Sequence, residues 1–129
     1  MDVERIVHLD TTTHPPDGPR TSLGHSIGRF EDDTLVVETG NYSAGVLSQY
    51  VEVPGEPTRG MLHSDALTSV ERVSFDAESN RLNVTIELED PVFFTRTFDP
   101  ANATYAPSDL QIQPFGCRPE NPDHTLIGD

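Results

Sequence analysis

Residues 67–88 read LTSVERVSFDAESNRLNVTIEL, and this stretch decides the fold class. From Arg81 to Leu88 the apolar residues Leu82, Val84, Ile86 and Leu88 alternate strictly with Asn83, Thr85 and Glu87. Side chains on a strand point to opposite faces in turn, so this period of two describes a half-buried strand. Leu67–Phe75 predicts a second strand, and the polar run Asp76–Asn80 predicts the turn that joins them. Working outward, Asp90-Pro91 turns the chain toward an expected last strand, Val92–Phe98. Upstream, residues 26–31 and 34–39 flank Asp32-Asp33 and predict another hairpin, and residues 4–9 predict a first strand. Residues 10–25 and 40–66 are rich in proline and glycine and are expected to be long connections, with Gln49–Val53 as a short edge strand. No helical pattern exceeds two turns and no internal repeat is evident.

The expectation is a mainly β, antiparallel fold: a small barrel, half-barrel or lipocalin-like sandwich with long Pro/Gly-rich loops. One domain is expected over residues 1–129, with a core at about 4–98 and an extended tail, 99–129, wrapping the body. A sheet this small leaves edges that the tail or a homodimer would protect.

The composition narrows the function. A chain of 129 residues is too short for a (β/α)₈ barrel, which needs ~250. Acidic residues number 22 against 8 basic ones, all arginine, for a net charge of −14. Such a body repels phosphate backbones, so nucleic acid and anionic membrane are not expected partners. Solubility, a high-salt habitat and attraction of cations are competing readings of the acidity. Cys117 is the only cysteine, so an intramolecular disulfide is excluded, and a packed or idle thiol is expected. No apolar run is long enough to span a membrane and no leader opens the chain. A soluble protein is expected, either cytoplasmic or exported with its leader removed.

Several motifs bear on chemistry. Gly24-His25-Ser26-Ile27-Gly28 fits G-x-S-x-G, but a nucleophile elbow needs a strand–turn–helix, and here a hairpin follows. The two glycines are read as backbone devices at a strand start. None of the five histidines has H-x-x-x-H or H-E-x-x-H spacing, so neither a metal nor another cofactor is expected. Convergence of His14, His25 and His63 on zinc or iron stays open as an alternative. In His63-Ser64-Asp65 an extended chain would point the histidine and the aspartate the same way, an acid–base arrangement; turn capping by Ser64 or Asp65 is the competing reading. Parity places Glu71 on the more apolar face of strand 67–75, among Leu67, Ser69, Val73 and Phe75. On 92–98 it sets Arg96 between Phe94 and Phe98. Buried charges pair or line a wet cavity, so Glu71 and Arg96 are candidate partners, read structurally as an inward salt bridge or a slip in the strand register and functionally as the polar end of an apolar pocket with Tyr42 and Asn41 at its rim. Three Asn-x-Ser/Thr triplets, at Asn41, Asn83 and Asn102, are within chance and carry no weight.

The stretch Gly24–Thr39, GHSIGRFEDDTLVVET, resembles the GHS-x-G-x-W-E-G-D-T-L-V-V-x-T segment of a large bacterial family whose members often carry export signals. His63-Ser64-Asp65-Ala66-Leu67 is similar to its HS-E-A-L, Glu71-Arg72 to its E-R, and Asp90-Pro91 with Thr95–Phe98 to its D-P…T-R-P-W. His14-Pro15 is similar to an H-P step. The likeness covers about residues 5–98, with Phe30 and Phe98 where the family has tryptophan. It implies a β-rich fold and carries no catalytic assignment.

Together these features lead to the expectation of a small cofactor-free enzyme. It would act on a small, largely apolar molecule by acid–base chemistry of the isomerase, lyase, cyclase or epoxide-opening kind. Glu71 and His63 are the acid and base candidates, and Asp65 or His25 assists. Arg96 holds developing negative charge, and Tyr42, Asn41 and Phe94 line the substrate site. The alternative is a non-catalytic carrier for a small apolar ligand.

Overall fold

The computed structural model describes residues 4–51, 59–95 and 98–110. They form eight strands: β1 (Val7–His8), β2 (His25–Glu31), β3 (Thr34–Gly40), β4 (Gly45–Val51), β5 (Arg59–His63), β6 (Thr68–Asp76), β7 (Arg81–Glu89) and β8 (Ala101–Tyr105). Six make one sheet in the order β1-β2-β3-β6-β7-β8, and β4-β5 pair as a separate hairpin inserted between β3 and β6. All pairings are antiparallel except the short parallel β1–β2. The fold is mainly β as expected, and the six-stranded sheet stays open rather than closing into a barrel.

Local chemistry explains the two hairpins of the large sheet. Glu31 pairs with Thr34, so Asp32 and Asp33 alone make the β2–β3 turn, and Asp32 takes φ 52°. Aspartate tolerates this left-handed region because its short side chain satisfies nearby backbone. In the β6–β7 turn, Asp76 accepts hydrogen bonds from the Glu78 and Ser79 amides and from the Ser79 hydroxyl. Asn80 closes this turn at φ 52°.

Register sorts the sheet into two unlike faces. On one, Gly28, Val37, Glu71, Ile86 and Ala101 form a cross-strand row, and Phe30, Leu35, Val73, Val84 and Ala103 form the next. On the other, Arg29, Val36, Arg72, Thr85 and Asn102 align. Arg29 bridges Glu31 and Glu38, and Arg72 bridges Glu87. Val36 and Val37 are both buried although they face opposite ways, which makes β3 the centre of the core. The arginine stems beside Val36 cover apolar surface while their heads stay wet.

Four expectations are corrected. Strand 4–9 contracts to Val7–His8. The 40–66 connection contains β4 and the backbone of β5, so the expected edge strand at 49–53 is the end of a longer one, with residues 52–53 outside the description. The described part of the expected strand 92–98 is not a strand: 91–93 form a turn, because the buried Asp90 carboxylate takes the Val92 and Phe93 amides that a ladder would need, and the Phe94 amide bonds the Asp90 carbonyl, while residues 96–97 lie outside the description. The tail expected to be coil from residue 99 begins with β8, which pairs along β7. Arg96, Cys117 and His124 lie outside the described residues, as does the rest of the tail beyond residue 110.

Candidate functional site

Asp90 organises the end of the molecule where β5, β6 and β7 meet. Its carboxylate is buried and accepts four hydrogen bonds: from the Ser64 amide at 2.6 Å, the Ser64 hydroxyl at 2.8 Å, the Val92 amide at 2.9 Å and the Phe93 amide at 3.2 Å. Burial pushes its pKa up, but the bonds from Ser64, Val92 and Phe93 together outweigh burial, so Asp90 sits below the usual carboxylate range. The Ser64 hydroxyl also accepts the Ala66 amide at 3.0 Å, turning the chain out of β5 and into β6. This one knot therefore fixes both the 64–67 turn and the 90–94 turn.

Around the knot lies a cleft. Its main chamber, about 510 Å³, is lined by Ala66, Thr68, Leu88, Glu89, Asp90, Pro91, Phe94 and Thr95. A neighbouring chamber of about 360 Å³ adds Val70, Glu87, Phe98 and Pro100, and a third of about 420 Å³ opens between Gly60–Leu62 of β5 and Phe93, Phe94 and Phe98. Phe94 and Phe98 meet edge to face at 5.0 Å and wall the chambers jointly. The cleft thus has an aromatic wall, an aliphatic floor at Leu88, and carboxylates at its mouth.

The expected site residues do not converge there, with the exception of Phe94. Glu71 does occupy the aliphatic sheet face, mostly shielded, and its partner is Arg5, at 2.5 Å. The expected pairing with Arg96 rested on a strand at 92–98; residues 92–95 are not strand, and Arg96 lies outside the described residues. The Arg5 ion pair engages the Glu71 carboxylate across the sheet face. His63 is buried at the end of β5, edge-on to Tyr42 with ring centres 6.1 Å apart. Its Nδ1 lies 3.0 Å from the Ser64 carbonyl. A carbonyl only accepts, so Nδ1 donates in this bond, and Nε2 is the ring nitrogen it leaves for another partner.

Asp65 does not join His63. The chain turns at 65–66, and Asp65 reaches solvent and Arg20, at 3.6 Å. The turn-capping reading of this tripeptide is the one that fits. The Tyr42 hydroxyl bonds Ser69 at 2.9 Å, two residues along β6 from Glu71 and on the same face. Asn41 turns away, at φ 55°, to donate to the Pro15 carbonyl. None of the described cavities is lined by Glu71 or His63.

His25 belongs to a different cluster. Its ring stacks on His8 at 4.8 Å, and its Nδ1 is 2.9 Å from Nδ1 of His14. Burial first, then the charges of His8 and His14, hold His25 below the ordinary histidine value. His63 lies instead against Tyr42, so in place of the alternative His14–His25–His63 grouping the structure sets His8 and His14 beside His25. Among the described residues no group of three or more His, Cys, Asp or Glu is arranged to hold a metal ion.

Ser26 is not a nucleophile on an elbow. It is buried within β2 and hydrogen-bonded to Thr39 at 2.8 Å. Gly24 beside it takes φ 67°, and a Cβ there would sit 2.5 Å from the Gly40 carbonyl oxygen. The glycine is required by this close approach.

Sequence reasoning missed Asp90, Ser64 and the aromatic corner as a unit. Asp90-Pro91 was legible as a turn, and a carboxylate two residues ahead of amides is the pattern of an Asx turn, which signals the capping but not the distant Ser64. Against family models, curated proteins and solved structures, the chain shows no significant match.

Proposed function

We propose that the chain binds a small, largely apolar molecule in the cleft around Phe94. The supporting observation is the chamber of about 510 Å³ whose wall carries Phe94 and Leu88 and whose frame is set by the Asp90–Ser64 knot. Small-molecule sites run to ~300–1,000 Å³, mostly apolar with a few placed polar groups. Thr68, Thr95 and Glu89 are those groups here. Asp90 is not, because its lone pairs are spent on the frame. The excess of negative charge at the mouth favours a neutral or cationic ligand over an anionic one.

A neutral environment-sensitive dye, N-phenyl-1-naphthylamine, tests this by fluorescence titration. Saturable one-to-one binding that is lost in Phe94→Ala and kept in Phe75→Glu supports the cleft. Binding that survives Phe94→Ala unchanged, or that never saturates, refutes it.

One observation favours a second reading, acid–base catalysis. Its support is the His63 ring, oriented by the Nδ1–Ser64 bond and set beside Tyr42. Glu71 enters this reading only if its bond to Arg5 opens. Conversion of a small epoxide or enone that His63→Gln abolishes, with dye affinity intact, would establish the enzyme; no turnover in the wild type leaves the carrier.

A further inference from the structure

On the aliphatic face of the six-stranded sheet, the rows nearest the β6–β7 turn stand apart from the cleft, which takes Leu88 from this face and Thr68, Val70, Glu87 and Glu89 from the other. Phe30, Phe75 and Tyr105 stand on the aliphatic face between 57 and 66% exposed. Phe75, Leu82 and Tyr105 form one cross-strand row, and the Phe30–Leu35–Val73–Val84 row lies directly beside it. Soluble monomers rarely leave contiguous patches beyond a few hundred Å² uncovered. An aromatic side chain offers ~150–250 Å², so these three leave about 300–400 Å² open before the leucines and valines are added.

Charge distinguishes the faces further. Among the described residues of the six-stranded sheet from β2 to β8, the aliphatic face holds one charged side chain, Glu71, and Arg5 pairs with it. The opposite face holds Arg29, Glu31, Glu38, Arg72 and Glu87. Most of the net charge of −14 is therefore elsewhere, and two copies can bring this face together without opposing like charges.

We propose that this face is an interface between two copies of the chain. A two-fold axis places the Phe75–Leu82–Tyr105 rows against each other and converts two open sheets into a sandwich, with layers ~10 Å apart. With the leucines included, the exposed apolar area is on the order of 500 Å² per copy, or about 1,000 Å² in the pair, the lower bound of specific interfaces. Weak, transient encounters sit at this low end of the size range. Because the core of this interface is apolar and each copy is strongly acidic, added salt tightens it.

Sedimentation velocity on the full chain, from low to high micromolar concentration, tests the proposal. The wild type is expected to shift from 14.2 kDa toward twice that mass. The double variant Phe75→Glu/Tyr105→Glu, at two exposed positions, is expected to keep its far-ultraviolet circular dichroism and to weaken association at least about thirty-fold. A wild type that stays monomeric throughout overturns the proposal. A double variant that dimerises like the wild type overturns it as well.

Discussion

Substituting Ser64 by alanine is the sharpest probe of how the cleft is framed. The hydroxyl makes two bonds, a donated one at 2.8 Å to a buried carboxylate and an accepted one at 3.0 Å from the Ala66 amide. A hydrogen bond to a charged group contributes ~1.5–3 kcal/mol and a neutral one about 1. The Ser64 amide keeps its own bond to the carboxylate, which offsets part of the loss. The expected destabilisation by Ser64→Ala is therefore about 2–3 kcal/mol. With a urea slope of ~1.5 kcal/mol/M for a domain of this size, the unfolding midpoint falls by roughly 1.5–2 M. Urea titration followed by circular dichroism reads this directly, and an unchanged slope shows that stability rather than compactness has moved. A change below about 0.5 kcal/mol would refute the reasoning, because surface substitutions already reach that size. Dye affinity should fall in the same variant at low denaturant, since the two turns held by this knot form the chamber.

Val36→Ala removes two methyl groups from a fully buried site; at ~0.8 kcal/mol per methylene plus a cavity contribution, a loss of about 2–3 kcal/mol in urea unfolding is expected. Gly24→Ala forces a side chain into left-handed backbone against the Gly40 carbonyl and should cost at least about 1–2 kcal/mol, read as a lower melting temperature. His25 is held below its ordinary value of 6.5, so the folded state binds fewer protons than the unfolded one near that pH; melting temperature should drop as pH falls below about 6.5 and this step should vanish in His25→Gln. Asp76, lowered first by the Ser79 hydroxyl bond and then by the Glu78 and Ser79 amides, has the same sign. Its contribution is full above the ordinary carboxylate range and lost as pH falls through and below it, and Asp76→Asn should flatten that acid limb.

What the sequence makes legible follows from where the determining interactions lie. Strands β2, β3, β6 and β7 owe their form to local alternation and to turns built from adjacent residues, Asp32 and Asp76, and each is readable in a short window. β8 is not: Ala101-Asn102-Ala103-Thr104-Tyr105 has little strand propensity, and its order comes from β7, through Thr85–Asn102 and Asn83–Thr104 hydrogen bonds. β4 and β5 are masked by the glycines and prolines around them, which read as loop. The aromatic run 92–98 misleads in the other direction, because it has the residues of a strand while Asp90 consumes the amides a strand requires.

The site divides the same way. Parity locates Glu71 on the apolar face from neighbouring residues alone. Its partner Arg5 lies 66 residues away, and no spacing rule reaches that far. His63 and Asp65 look coupled by proximity in sequence, yet a single serine hydroxyl bends the chain between them. His8 joins His25 because β1 pairs in parallel with β2, a register that a two-residue strand cannot announce.

The central claim is that a small apolar molecule enters the cleft at Phe94. Amide chemical-shift mapping during titration with N-phenyl-1-naphthylamine tests it most directly. The account predicts saturable shifts at Ala66, Thr68, Glu89 and Thr95, with Phe30, Phe75 and Tyr105 unmoved. Shifts confined to the aliphatic sheet face, or none that saturate, would contradict it.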